Sequence, residues 1–376
     1  MPILLSRRAM LGPPLLGVPL ALGLAPFPPR PGLAQGLAPA PTPAPAPALA
    51  PGRAAALEAL RRSAGAVPKL HTLIVAQEGR TLLEESFRGP GPDRPVNVKS
   101  VSKSVLSLLV GAAVARGVLR GLDQPVAPVL GNLVPAEADP RVRDITLEHL
   151  LSMRAGLERT SGENYGAFAS SRNWVRHILS RPFEEEPGGA MRYSTGDTHL
   201  LSAVLTRASG RSTLDLARDW LGGPLDIAIP PWPRDPQGIY FGGNDMLLSP
   251  RALVRIGEML RLDGQWQGRR VLPAEWIADS WTPRTRSPWS GQLYGLGWWI
   301  GQAGPSRNLF AWGYGGQFLF VLPELAATVV MTSESSGPRD RAHTGALHAL
   351  LAEAVLPALG AAPVPAAPPV AEPGTL

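Results

Sequence analysis

In the stretch NVKSVSKSVLSLLVGAAVARG, residues 97–117, a hydroxyl and an amine stand three positions apart, at Ser100 and Lys103. Residues i and i+3 share one helix face, so the two groups can meet if the segment is helical. A serine hydroxyl is a weak nucleophile until a neighbouring base takes its proton. Lysine can be that base because burial lowers its pKa, whereas a guanidinium does not deprotonate in proteins. The chain has 36 Lys and Arg residues, and only Lys69, Lys99 and Lys103 are lysine. A drift toward arginine would be blocked where a proton must move. The same letters also have a plain reading: serine before an apolar helix is an ordinary N-cap, and Lys99 shows that lysine persists without a chemical need.

The elements that must position this pair are readable by period. GRAAALEALRRS, residues 52–63, has helical spacing, and LHTLIVAQEGRTLLEESF, residues 70–87, reads as two strands around a Glu-Gly-Arg turn. The apolar run 101–115 suits a buried helix. The middle is mostly helical, from TLEHLLSMRAGL at Thr146, through 197–210, to SPRALVRIGEMLRLDG, where Ser249 is the N-cap and Pro250 the first helical residue. Strands return at 293–301, 312–322 and 326–333, the last two joined by a hairpin-length PEL, and a helix follows from Arg341. Strands at both ends around a helical block predict an α+β fold: an antiparallel sheet flanked by N- and C-terminal helices, with an inserted all-helical lobe over about 118–285.

Five blocks in order, SVSKSVLSLLVGAAVARGVLRGLDQPV, ITLEHLLSMRAGL, EEPGGAMRYSTGDTHLLSAVL, GGNDMLLSPRALVRIGEML and WGYGGQFLFVLPELAATVVMTS, resemble the serine β-lactamase/penicillin-binding-protein-like superfamily. The resemblance is to its class C-like branch of esterases, D-aminopeptidases and nylon-oligomer (6-aminohexanoate-dimer) hydrolases, and it covers roughly residues 70–355. It implies that Ser100 is the nucleophile and Lys103 its proton partner. It also implies that Tyr193, in MRYSTGD, is the head of a Y-x-N element whose third residue here is Thr195. A phenol beside a lysine ammonium loses its proton more easily, so Tyr193 is expected to act as base to Ser100 and then as acid to the leaving group. Tyr165 is the rival tyrosine and a substrate-contact candidate.

The resembling families also carry a Lys-Thr-Gly or analogous triplet on the strand edging the site. The letters HTG at 343–345 lie inside a helical pattern, where backbone N–H groups are engaged. Tyr314, Gly315 and Gly316 open a strand instead, with glycines that permit close backbone approach to a ligand. The resemblance then implies an oxyanion hole made by the N–H groups of Ser100 and Gln317.

Departures from the pattern narrow the substrate. Neither SDN nor KTG occurs, so the groups that would hold a β-lactam or peptide carboxylate are missing. Efficient penicillin hydrolysis is disfavoured, and a small-molecule ester or small amide fits better. The alternatives are a D-amino-acid peptidase or weak β-lactamase, and a non-catalytic cell-wall binder on the same scaffold. The run 184–186, EEE, reads as a solvated loop, GGND at 242–245 as a turn in preference to a lining of the cleft, and Trp174, Trp298 and Trp299 as core in preference to substrate contacts. His149 and His199 read as structural.

Six histidines without ligand spacing predict no metal site, and no metal or organic cofactor is implied. A net charge of +6 without a basic, aromatic-interleaved run predicts no nucleic-acid partner, and zero cysteines exclude disulfides and thiolate chemistry. The start of the chain, SRRAML before an apolar run and a small-residue site near GLAQ, resembles a bacterial twin-arginine export signal over residues 1–35. The twin-arginine export machinery is therefore an expected partner, with no stable membrane anchor after signal removal and a periplasmic or secreted product. An Ala/Pro-rich linker, 36–52, then leads into a folded body over 53–359 and an Ala/Pro-rich tail over 360–376.

Overall fold

The computed structural model describes residues 51–303 and 306–362; the expected export signal, most of the linker and most of the tail lie outside the described residues. An eight-stranded antiparallel sheet forms the centre, in the order β2-β1-β12-β11-β10-β9-β8-β7. Its strands are β1 (Leu70–Gln77), β2 (Arg80–Ser86), β7 (Thr285–Arg286), β8 (Leu293–Tyr294), β9 (Trp299–Ala303), β10 (Ser306–Gly313), β11 (Gln317–Leu322) and β12 (Ala327–Ser333). The first and last strands of the chain, β1 and β12, pair near one edge of the sheet, with β2 alone outside them, and Ile74 faces Val330 across the pair. The β1–β2 turn has positive φ at both Glu78 and Gly79, the conformation whose twist matches a tight hairpin.

Apolar side chains on the sheet's two faces build two cores. On one face lie α1 (Pro51–Gly65) and α7 (Arg341–Leu350), packed over Leu73, Val75, Phe318, Phe320 and Val329. The other core holds α2 (Val101–Ala115), α3 (Leu147–Leu151), α4 (Trp174–Leu179), α5 (Thr195–Ser209) and α6 (Pro250–Arg261). Every residue of α2 from Val101 to Ala113 is buried, including Ser102, Lys103, Ser104 and Ser107, which explains why the rest of the segment is apolar on every side. Trp174, Trp298 and Trp299 are all buried, as expected of core residues.

Several boundaries differ from the sequence reading. The strand expected over 312–322 is two: β10 ends at Gly313, and Tyr314 to Gly316 is the turn into β11. The run 293–301 likewise splits into β8 and β9, with Gly297 at φ +83 in the intervening turn. The helix begun at Thr146 stops at Leu151 because the chain turns at Met153, φ 61. The inserted block is not wholly helical: β3 (Val96–Asn97) pairs with β4 (Leu247–Leu248), and β5 (Gln265–Trp266) with β6 (Arg269–Arg270). Its helix α6 turns back onto β11 and β12 of the sheet.

Candidate active site

Ser100 stands immediately before α2 and makes no side-chain cap bond. Its backbone is already helical, φ −69 and ψ −5, so Oγ does not reach back to the first-turn N–H groups. Lys99, just before it, occupies the left-handed region at φ 51, a strained setting for a residue with a Cβ. Asn97 Oδ1 accepts the Lys99 N–H at 2.9 Å, while Asp245 Oδ1 takes Asn97 Nδ2 at 2.7 Å and Lys99 Nζ at 3.3 Å. These contacts fix the corner that presents Ser100, which is half-buried.

One helical turn on, Lys103 is 1% exposed, and its Nζ lies 3.1 Å from Ser100 Oγ. The same nitrogen is 2.5 Å from the Gly243 carbonyl oxygen and 3.4 Å from Thr195 Oγ1. Burial pushes the Lys103 amine down to about 7, with the carboxylates of Asp197 and Asp245 pulling the other way. The segment read as a turn, Gly242 to Asp245, thus lies on the amine. Two glycines make this possible, because a Cβ on Gly242 would sit 2.1 Å from Thr198 O and one on Gly243 2.4 Å from Thr195 O.

Tyr193 enters from the loop before α5 and is 3% exposed. Its ring is stacked on Trp299 with centroids 5.8 Å apart, has Tyr294 against its edge, and lies 5.1 Å from Lys103 Nζ. Burial pushes its phenol up, and hydrogen bonding with Ser100 is what pulls it back. The easier proton loss expected of this phenol is therefore not what its surroundings produce; at ordinary pH it is neutral and holds a proton to donate.

The N-terminus of α5 is capped from outside its own chain segment. Ser161 Oγ accepts the Thr195 N–H at 2.9 Å and lies 2.9 Å from Thr195 Oγ1, and Thr160 Oγ1 accepts the Gly196 N–H at 2.8 Å. Where the resembling families have an amide, this chain has a hydroxyl that reaches Lys103 and is itself held by a second hydroxyl.

The glycine-rich turn takes up a different task from the one expected. Gly313, at the end of β10, packs so closely on the Ser100 corner that a Cβ would lie 2.3 Å from Val98 O. Its register partner is Gln317, and the Gln317 side chain is locked to the backbone of Ser333 through Nε2 and Oε1. Gly313 thus holds the end of β10 against the corner before Ser100, and among the described residues the Ser100 N–H has no acceptor. Gly315 and Gly316, at φ +76 and +92, crowd Glu334 O and the Leu347 side chain, so their close approach is to protein rather than to an open cleft. Tyr314 turns away as well, its hydroxyl donating to Gly337 O at 3.0 Å. The Tyr165 hydroxyl accepts Asn244 Nδ2 at 3.3 Å, next in sequence to the Gly243 carbonyl that meets Lys103.

The remaining expectations resolve simply. Glu184 and Glu185 pair with Arg192, and Glu186, which is exposed, pairs with Arg141. His343 to Gly345 lie within α7. His199 is sealed against Asp235 at 3.1 Å, and His149 closes a capping box with Thr146. The sequence does not single out Asp197, since an acid in a first helical turn has a commoner explanation, and Gly243 and Asn244 read there chiefly as part of a turn.

Comparison with known proteins gives a consistent grouping. The family model described as Beta-lactamase matches residues 54–353. Esterase EstB of Burkholderia gladioli is 31% identical over 174 residues, covering 40% of this chain and 42% of EstB. The 6-aminohexanoate-dimer hydrolase of Paenarthrobacter ureafaciens is 24% identical over 297 residues, 70% of this chain and 72% of that one. The chain spans less than half the length of the first curated relatives it matches. The octameric penicillin-binding protein homologue from Pyrococcus abyssi shares the fold, with TM-score 0.63, 18% identity and coverage of 82% and 78% of the two chains.

Proposed function

The chain belongs to the beta-lactamase family, and from that premise we propose that it is an exported serine hydrolase that cleaves an ester or small amide through an acyl-enzyme on Ser100. The observation that carries this is the environment of the Lys103 nitrogen. A neutral amine has two N–H bonds and one lone pair. The Gly243 carbonyl only accepts, so it takes one hydrogen, and Thr195 Oγ1 takes the second. The lone pair is left facing Ser100 Oγ, 3.1 Å away.

Ser100 attacks the substrate carbonyl carbon while its proton moves to Lys103. The carbonyl oxygen becomes an oxyanion, met by the N–H groups of Ser100 and Gln317. Tyr193, as the neutral phenol, gives its proton to the leaving oxygen or nitrogen and is reprotonated from Lys103. The carbonyl–leaving-group bond breaks and the acyl-enzyme remains. Water then adds to the acyl carbon with the proton traffic reversed, releasing the acid and restoring the Ser100 hydroxyl.

The turn Tyr314 to Gly316 and β11 after it carry no Lys or Arg to hold a substrate carboxylate, and the Tyr314 phenol is bound to Gly337, which favours a neutral acyl group over a penicillin. Export rests on the paired arginines Arg7 and Arg8 and the apolar run after them. A fluorophosphonate or an activated ester should add its mass to Ser100 of the folded protein. An unlabelled folded protein, or equal turnover by Ser100→Ala, would defeat the reading.

A further inference from the structure

The hydroxyl that stands beside Lys103 in place of an amide does not act alone. Ser161 is buried, precedes a short 3-10 turn, Gly162–Asn164, and makes no cap bond to it. Its Oγ turns to α5 instead, where it accepts the Thr195 N–H at 2.9 Å and lies 2.9 Å from Thr195 Oγ1. Thr195 Oγ1 is in turn 3.4 Å from Lys103 Nζ, so two hydroxyls and the amine form a row. Neighbours on both segments hold the row in place: Ser194 Oγ accepts the Thr160 N–H at 3.2 Å, and Thr160 Oγ1 accepts the Gly196 N–H at 2.8 Å.

A hydroxyl has one hydrogen, and Thr195 has two neighbours that could accept it, Ser161 Oγ and the lone pair of a neutral Lys103. The two choices have opposite consequences. Given to Ser161, the hydrogen leaves a Thr195 lone pair facing the amine, which keeps an N–H there and its own lone pair toward Ser100. Given to Lys103, it occupies the lone pair that must take the Ser100 proton. The distances favour the first, 2.9 Å against 3.4 Å. Once Lys103 is an ammonium it has only hydrogens to give, so Thr195 must accept from it and donate to Ser161. One orientation of the row serves both protonation states, and no hydroxyl has to turn as the proton moves.

Resting on the serine hydrolase reading, we propose that Ser161 is a positioning residue: by accepting the Thr195 hydroxyl hydrogen it keeps the Lys103 lone pair on Ser100. It works through Thr195, since among the described residues the hydrogen bonds of its hydroxyl go to Thr195 alone. The departure at Thr195 is what creates the need. The oxygen of an asparagine carboxamide carries no hydrogen, whereas a threonine oxygen carries one that can turn onto the amine, and Ser161 takes it.

The test is a double-mutant cycle on the full chain, read by the rate at which a fluorophosphonate labels Ser100, which requires no knowledge of the natural substrate. Ser161→Ala should slow labelling about tenfold, as Thr195 turns its hydrogen onto the amine. Thr195→Val should also slow it, but this variant has no hydrogen to misdirect, so adding Ser161→Ala to it should change the rate by less than about twofold. A Ser161 that only capped the Thr195 N–H would cost the same in both backgrounds, and that additive result overturns the inference, as does labelling of Ser161→Ala at the wild-type rate. Thr195→Ser keeps the hydroxyl and should recover most of the rate lost in Thr195→Val; Thr195→Ser as slow as Thr195→Val overturns the inference too. Should Ser161→Ala or Thr195→Val fail to fold, Ser161→Gly or Thr195→Ala takes its corner of the cycle, with the same two outcomes. Absence of wild-type labelling would defeat the hydrolase reading itself; a labelled wild type with an additive cycle defeats this inference alone.

Discussion

Of the buried helices that follow a serine, α2 and α6 are preceded by hydroxyls that do opposite things. Ser249, before α6, has an extended backbone, φ −75 and ψ 152, and its Oγ accepts the Ala252 N–H at 3.1 Å. Ser100, before α2, has a helical backbone and caps nothing. Its Oγ is 3.1 Å from Lys103 Nζ instead. The strain that frees it is moved one residue back, to Lys99 at φ 51, where Asn97 and Asp245 hold it. A residue type at a helix start therefore does not define a role, and an extended backbone alone does not either, since Ser194 before α5 has φ −131 and ψ 128 and makes no side-chain cap bond.

The sharpest way to break this contrast is to remove each hydroxyl. Ser100→Ala should abolish turnover and labelling, a loss of roughly 10⁴-fold or more, while the thermal midpoint stays within a degree or so because no cap is lost. Steady-state assay and thermal denaturation of one preparation check both halves. A destabilised Ser100→Ala with residual activity would make this serine a cap after all.

Next in size is the base. Lys103→Arg keeps the charge but not the ability to lose a proton, and should cost about 10²- to 10⁴-fold in rate. The wild-type pH profile gives the complement. With Lys103 pushed down to about 7, activity should climb through that pH and hold above it, since the neutral amine is the active form. A profile that falls as pH rises through 7 would reverse the assignment of base.

How far the letters foretold this can be judged residue by residue. Ser100 and Lys103 were legible because a shared helix face is a local property, fixed by three positions of sequence. The choice between cap and nucleophile was not, because it turns on the φ of Lys99. Gly243 was read as a turn: its carbonyl meets an amine 140 positions earlier, and no period or spacing encodes that meeting. Asp197 reads like any first-turn acid until Ala155 and Ser194 close over it. In the sheet, β10 escaped notice because SRNLFAWG begins polar and runs into glycine, so the following YGGQFLFVL took its strand assignment. The helices of the two cores, with long apolar stripes, were the easiest part.

The comparison has a quieter half at Ser249. Ser249→Ala should cost about 1 kcal/mol of stability through the lost cap and leave the rate of Ser100 labelling unchanged. Chemical denaturation beside a labelling assay would measure both, and an activity loss without a stability loss would contradict the division of labour.

The smallest effect belongs to the strained corner. Glycine adopts positive φ freely, so Lys99→Gly removes a strain of about 1 kcal/mol. It also removes the ion pair with Asp245 at 3.3 Å, which is worth a fraction of that for partly exposed groups. The greater chain entropy of glycine in the unfolded state opposes the gain. The net change in stability should be small, within about 0.5 kcal/mol. The rate is where the corner's purpose should be visible: a looser corner lets Ser100 sample the extended backbone that Ser249 adopts, and each such excursion takes Oγ away from Lys103. A severalfold loss of labelling rate at unchanged stability, with the pH midpoint unmoved, is the expected signature. Unchanged labelling would mean that α2 and Asn97 alone aim the hydroxyl, and that the strain at Lys99 is incidental to it.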